Sequence, residues 1–130
     1  MVPHRTVLIV DDESYMRELL ARWLGRLGFT AMEAADNAAA LQHLQRERPD
    51  LITTDMYRPG GRGIELITQV HAQPALQAVP ILLISGSATA AERLAAKQAG
   101  ATADLPKPFD REDLDALITM IFPKSPADQA

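Results

Sequence analysis

The sequence predicts a single α/β domain in which a parallel sheet is covered by helices on both faces. Strand-like and helix-like patterns alternate five times along the 130 residues, as expected for parallel strands joined by crossover helices. The strand-like segments, such as residues 6–10 and 79–84, are almost continuously apolar, which is typical of strands buried on both faces. The chain length leaves room for one domain of ordinary size.

Composition and charge argue against several classes of function. With 47% hydrophobic and 23% charged residues, the chain has the composition of a soluble globular protein. No apolar run approaches the roughly 18 residues needed to cross a bilayer, so no membrane insertion is expected. The formal charge of −4, with scattered basic residues, argues against direct nucleic-acid binding. The absence of cysteine and of a signal-peptide pattern fits a cytoplasmic location.

The first two strand-and-helix units are defined by caps and helical spacing. Strand one, residues 6–10, precedes a helix that Ser14 can cap and that Gly28 stops. Strand two, at Phe29–Ala34, precedes a helix capped by Asp36 or Asn37. The first helix should bury Met16, Leu19, Leu20, Trp23, Leu24 and Leu27, and the second should bury Ala38, Leu41 and Leu44.

The third strand, residues 51–55, ends on a carboxylate. Its β-compatible residues lead to Asp55, which is therefore expected at the C-terminal edge of the sheet, where open α/β sheets bind ligands. The strand cannot continue through the turn residues Pro59, Gly60, Gly61 and Gly63. A short helix with Ile64, Leu66, Ile67 and Val70 on its apolar face follows and ends near Pro74.

The last two units differ in how much they can bury. Strand four, residues 79–84, precedes an alanine-rich helix at 89–99 whose only large apolar residue is Leu94. This helix should bury less area than its neighbours, which makes it a candidate moving part. Strand five is predicted at 101–105, and Asp110 caps a final helix. The apolar face of that helix contains Leu114, Leu117, Ile118 and Ile121.

Five polar residues follow the predicted strand ends: Asp11, Asp12, Asp55, Ser85 and Lys107. Because parallel strands end at one edge of the sheet, these side chains should converge there. Three clustered carboxylates repel unless a cation lies among them or a proton is shared, and Mg²⁺ prefers such oxygen ligands. A lysine and a hydroxyl nearby would hold a phosphoryl group, and the central carboxylate, Asp55, is the best placed nucleophile toward phosphorus.

Four short motifs appear in order along the chain: Val-Asp11-Asp12-Glu, Asp55-x-x-x-Pro59 with Gly63, Ser85-Gly86, and Lys107-Pro108-Phe109. Together they resemble the receiver domain of two-component response regulators. The resemblance covers residues 5–122 and leaves residues 123–130 as a flexible C-terminal tail, with no output domain. It implies a flavodoxin-like (βα)5 fold with a five-stranded parallel sheet of order 2-1-3-4-5.

The resemblance also implies how the acidic residues act. Asp55 would be the phosphoacceptor, supplied by a histidine kinase or a histidine phosphotransfer protein. Asp12 would bind Mg²⁺ directly, Asp11 would bind it through water, and the main-chain carbonyl of Tyr57 would be a further ligand, beside Asp55 itself. Ser85 would be the switch hydroxyl and would complete the catalytic group with Lys107 and Asp55. Lys107 would contact the phosphoryl group and form a cis peptide bond with Pro108.

Several positions depart from the pattern of the family. Asp104 stands where an aromatic residue is common, so the aromatic half of the usual switch is missing. Arg58 and Arg62 add two positive charges beside the phosphoacceptor. Tyr57 and Ser87 resemble positions that tune the loss of phosphate.

The resemblance implies a phosphorylation-dependent switch that acts through protein–protein interaction. It would modify only itself, so it is not expected to be an enzyme toward external substrates. The expected partners are the kinase or phosphotransfer protein and an unidentified downstream protein, with the chain itself a monomer or weak dimer. Two alternatives remain open. One is a non-phosphorylated pseudo-receiver; the other is an aspartate-nucleophile phosphohydrolase, although the D-x-D pattern of the haloacid-dehalogenase type is absent.

Overall fold

Five strands and five helices alternate in the computed structural model, which describes residues 4–56, 61–86 and 88–123. The strands are β1 (Arg5–Val10), β2 (Phe29–Ala34), β3 (Leu51–Thr54), β4 (Ile81–Ser85) and β5 (Ala103–Pro106). The helices are α1 (Ser14–Gly25), α2 (Asn37–Arg46), α3 (Gly63–His71), α4 (Ala90–Ala99) and α5 (Arg111–Ile121). None of the helices within those ranges combines the length and hydrophobicity needed to cross a membrane.

All neighbouring strands pair in parallel, in the order β2-β1-β3-β4-β5. This confirms the predicted fold and strand order. The register decides which side chains meet at the carboxyl edge. Val10 pairs with Thr54, so the residues that follow them, Asp11 and Asp55, lie beside each other. In the same way, Ser85 pairs with Pro106, which places Lys107 next to the end of β4.

Two hydrophobic clusters cover the sheet, one on each face, and successive residues of a strand belong to opposite clusters. Leu8, Val10 and Ile52 point to the face covered by α2, α3 and α4. Their neighbours Val7 and Ile9 point to the face covered by α1 and α5. Since successive side chains of a strand point to opposite faces, a continuous apolar run supplies both clusters at once.

The start and end of α1 differ from the sequence prediction. The N-cap is Glu13, whose side chain makes no capping hydrogen bond, and Ser14 is the first helical residue. The Glu13 N–H is already bound by the side chain of Asp11, which takes over local stabilisation of this turn. The helix ends at Gly25, and a tight turn then leads to Gly28, whose φ of 95° requires glycine.

The buried face of α2 also differs from the prediction. Ala38, expected to be buried, is exposed, whereas Asn37 and Ala40 are buried. Leu41 and Leu44 do pack against the core, as predicted. A rotation of the helical face toward Asn37 therefore brings a polar side chain into the interior.

The helix α4 is attached to the sheet by little apolar surface. Its buried residue is Ala96, and Leu94 is 56% exposed. Thr89 and Glu92 form a capping box at its start, and Gly100 ends it with a φ of 132°. Its ends are thus well specified by local hydrogen bonds. The prediction of a weakly buried helix is confirmed, and Leu94 contributes even less to the core than its size suggested.

Candidate functional site

The carboxylates of Asp11, Asp12 and Asp55 form a cluster at the carboxyl edge of the sheet. An oxygen of each lies within 4.8 Å of an oxygen of the others. Asp11 and Asp55 are buried, at 2% and 6% exposure, whereas Asp12 is exposed. The N–H groups of Asp11 and Asp55 continue the sheet by donating to the carbonyls of Ala34 and Val10. The two buried carboxylates are therefore fixed by the sheet, and the third opens the cluster to solvent.

Asp11 is held in place by contacts that the sequence pattern did not reveal. Its Oδ1 accepts from the Glu13 N–H at 2.9 Å, and its carbonyl accepts from Nη1 of Arg17 at 2.7 Å. Arg17 also reaches Glu33 on β2, at 3.1 Å. Burial raises the pKa of Asp11, and the Glu13 N–H and Lys107 oppose this rise. Burial disfavours the charged form of this carboxylate, and a bound cation would favour it again. The position is therefore suited to binding a cation.

Lys107 supplies the positive charge beside this cluster. Its Nζ lies 3.8 Å from Oδ2 of Asp11, and its N–H donates to the carbonyl of Ser85 at 3.1 Å. The Lys107–Pro108 peptide bond is cis, as the resemblance implied. The end of β5 thus places the ammonium group at the same edge of the sheet as the three carboxylates.

A series of polar contacts links Ser85 to Arg93 on α4 and to Asp104 on β5. The N–H of Ala88 donates to Oγ of Ser85 at 3.2 Å, and the Ala88 carbonyl accepts from Nη1 of Arg93 at 2.7 Å. Nε of Arg93 lies 3.7 Å from Oδ2 of Asp104 on β5. A cavity of about 180 Å³ lies between α4 and β5, beside this ion pair. The position predicted to lack the usual aromatic residue therefore takes part in an ion pair with α4.

The segment after Asp55 returns close to the strand end. The Gly63 N–H donates to the Met56 carbonyl at 2.8 Å, and a Cβ on Gly63 would overlap the carbonyl oxygen of Asp55. From α2, Nδ2 of Asn37 donates to the Arg62 carbonyl at 3.2 Å. The predicted roles of Tyr57, Arg58 and Ser87 fall outside the described residues.

An open cleft of about 250 Å³ lies at the carboxyl edge of the sheet. Among the residues that the structure describes, its lining includes Asp12, Glu13, Asp55, Met56, Ile84, Ser85, Gly86 and Lys107. Asp11 lies directly behind the lining, in contact with Lys107. The five polar residues predicted to converge are therefore brought together. The three carboxylates fit a hard divalent cation such as Mg²⁺, which takes carboxylate oxygens and keeps several waters.

The sequence matches the model of the response regulator receiver domain over residues 7–119. It is 38% identical to the chemotaxis protein CheY of Pseudomonas aeruginosa over 117 residues, which cover 89% of this chain and 94% of that protein. It is 36% identical to chemotaxis protein CheY-3 of Vibrio cholerae, with 89% and 90% coverage.

Solved structures show the same likeness in three dimensions. The chemotaxis response regulator CheY4 of Vibrio cholerae superimposes with a TM-score of 0.86 at 30% identity, covering 92% of this chain and all of that one. A response regulator structure from Chloroflexus aurantiacus gives the same TM-score and identity, with 94% of this chain covered and all of that one.

Proposed function

Because the chain belongs to the family of response regulator receiver domains, we propose that it is a phosphorylation-dependent signalling switch with Asp55 as the phosphoacceptor. The observation that carries this proposal is the convergence of three carboxylates and one ammonium group at a single sheet edge. Asp55 is the member of the acidic cluster that stands at the centre of the sheet, at the end of β3. It also lines the cleft from which a donor would approach.

The proposed reaction is phosphoryl transfer from a phosphohistidine of a kinase or phosphotransfer protein. An oxygen of Asp55 attacks phosphorus, the P–N bond breaks, and the imidazole leaves with the bonding electron pair and takes up a proton from water. The product is an acyl phosphate on Asp55. Lys107 compensates negative charge on the phosphoryl oxygens, and the Ser85 hydroxyl donates a hydrogen bond to one of them.

Mg²⁺ is the cofactor that this donor set suits best. Asp12, Asp11 and Asp55 would hold it. The family resemblance adds the main-chain carbonyl of Tyr57 as a further ligand. When bound, it would neutralise charge on the carboxylates and on the transferred group. Burial raises the pKa of Asp11, and a bound divalent cation would lower it again by favouring the charged carboxylate.

The proposed output is a change in how α4 and β5 are presented to a downstream protein. When the Ser85 hydroxyl turns toward a phosphoryl group, it gives up its contact with the Ala88 N–H. Arg93 holds the carbonyl of the same residue and pairs with Asp104, so a shift at Ala88 also disturbs the α4–β5 surface. Because α4 buries little apolar surface, such a shift requires little free energy.

The proposal is tested by incubating the protein with acetyl phosphate and Mg²⁺ and measuring its intact mass. We expect one phosphoryl adduct that is stable in acid, labile in base and absent in Asp55→Asn. Asp50→Asn is the matched control, since Asp50 lies at the opposite end of β3, where it accepts from the Thr6 N–H at 2.8 Å.

Three outcomes would contradict the proposal. No adduct on the wild-type protein would indicate a non-phosphorylated interaction module. Rapid multiple turnover of the donor would indicate a phosphohydrolase. An adduct that persists in Asp55→Asn would place the phosphoacceptor elsewhere.

A further inference from the structure

We propose that Asn37 is a positioning residue that holds residues 61–63 against the main chain of Asp55, and thereby sets the metal affinity and the phosphorylation rate of the site. This inference rests on the proposed function. Asn37 lies at the start of α2, on an element that contributes no residue to the lining of the acidic cleft. Asn37 can therefore affect the acidic cleft only indirectly, through residues 61–63, which it contacts at the Arg62 carbonyl.

The side chain of Asn37 is buried without being used as a helix cap. Its exposure is 8%, and the capping bond of α2 is made by Asp36, which accepts from the Ala39 N–H at 2.8 Å. The amide of Asn37 turns away from the helix and donates through Nδ2 to the Arg62 carbonyl at 3.2 Å. This bond joins the start of α2 to the segment that precedes α3.

The segment is shaped to receive this side chain. Gly61 has a φ of 131°, and a Cβ on it would overlap the amide of Asn37. Glycine at position 61 therefore provides both the required backbone conformation and the space for the amide. Asn37 and Gly61 form a matched large-and-small pair across the gap between α2 and the start of α3.

The same segment touches the phosphoacceptor directly. The Gly63 N–H binds the Met56 carbonyl, and position 63 lies so close to the Asp55 carbonyl that a Cβ would collide with it. Residues 61–63 thus contact the strand end on one side and Asn37 on the other, and the Arg62 carbonyl also accepts from the N–H groups of Glu65 and Leu66 in α3. Loss of the Asn37 bond removes the attachment of this segment to α2, and even a small displacement of reacting groups can lower a reaction rate strongly.

Two substitutions separate positioning from packing. Asn37→Asp keeps the size of the side chain but cannot donate to the Arg62 carbonyl. Its new negative charge is favourable at a helix N-terminus and, by attraction, cannot weaken the binding of a cation. Asn37→Ala removes the donor without adding charge. His43→Ala is the matched control, because Nε2 of His43 contacts the Glu33 carbonyl farther along the same helix.

The experiment measures Mg²⁺ affinity by calorimetry, the rate of adduct formation with acetyl phosphate at saturating Mg²⁺ by intact mass, and thermal unfolding of each variant. We expect both Asn37 variants to lose about tenfold in Mg²⁺ affinity and about tenfold in rate, as supporting residues of metal sites typically do. His43→Ala should retain both wild-type values. Both Asn37 variants should also unfold at a lower temperature than the wild-type protein, because each loses a buried hydrogen bond, so affinity and rate are measured well below the unfolding transition of every variant.

Wild-type affinity and rate in Asn37→Asp would overturn the inference and assign Asn37 to packing alone. Equal losses in His43→Ala would overturn it as well, because they would show a general effect of disturbing α2. If the wild-type protein binds Mg²⁺ but forms no adduct, the proposed function fails, and the affinities of the Asn37 variants still decide whether this residue positions the site.

Discussion

Two helices follow strand ends that line the acidic cleft, and they are attached to the domain in different ways. The helix α1 follows the acidic pair at the end of β1 and buries Met16, Leu20 and Leu24. The helix α4 follows Ser85 at the end of β4 and buries Ala96. The first is anchored by large side chains in the core, whereas the second is held by its capping box and a few polar contacts.

This difference separates the two tasks proposed for the domain. Carboxylates that bind a metal must keep their geometry, and the anchored α1 keeps Asp11 and Asp12 in place. A helix that reports a chemical change must instead move at low cost, and α4 buries little apolar area to lose. The cleft thus lies between one element that resists displacement and one that permits it.

The largest expected effect compares the packing of the two helices directly. Leu20→Ala removes a side chain that is 2% exposed and should lower the free energy of unfolding by about 2–5 kcal/mol. Leu94→Ala should change it by less than about 0.5 kcal/mol, since Leu94 is mostly in solvent. Urea denaturation of both variants measures the difference. Similar losses would remove the contrast on which the comparison depends.

A second effect concerns the free energy of unfolding and how it depends on the ionisation of Asp11, which precedes α1. Because burial raises the folded-state pKa of Asp11 above its usual value of 3.8, its ionisation opposes folding. Below that value the protonated group carries no such cost, and the cost appears as pH rises through the raised pKa. Asp11→Asn should therefore be increasingly more stable than wild type over this range, in the absence of Mg²⁺. Unfolding curves at a series of pH values would show no divergence if the cost is absent.

The smallest expected effect is specific to α4. Ser85→Ala should leave the extent of phosphorylation largely unchanged, because Asp55 and Lys107 remain. It should weaken the coupling between the phosphoryl group and residues 88–99, because the hydroxyl that binds the Ala88 N–H is gone. Hydrogen exchange with and without a phosphoryl mimic measures this coupling. If the wild-type protein shows equal protection of residues 88–99 in both states, α4 is not the reporting element.

Periodicity and the residues that end strands were sufficient for the five strand-and-helix units and for the convergence at the carboxyl edge, whereas the strand order came from the family resemblance. Asp55 is an example, since it ends a β-compatible run directly before turn residues. The burial of Asn37 and the exposure of Leu94 were not predictable, because each depends on the rotation of a short helix with few large side chains. Contacts such as Arg17 with the Asp11 carbonyl and Arg93 with the Ala88 carbonyl join side chain to main chain, and no local pattern marks them.

The size of the cleft bears on how the protein would distinguish one signal from another. Its volume of about 250 Å³ is below the roughly 300–1,000 Å³ of pockets that enclose whole small molecules. If Asp55 is the phosphoacceptor, as proposed, the cleft would hold the phosphoryl group but would enclose little of the molecule that delivers it. Fidelity between signalling pathways would then reside in the surface around the cleft, and altering that surface could rewire the protein to a new donor while its chemistry stays the same.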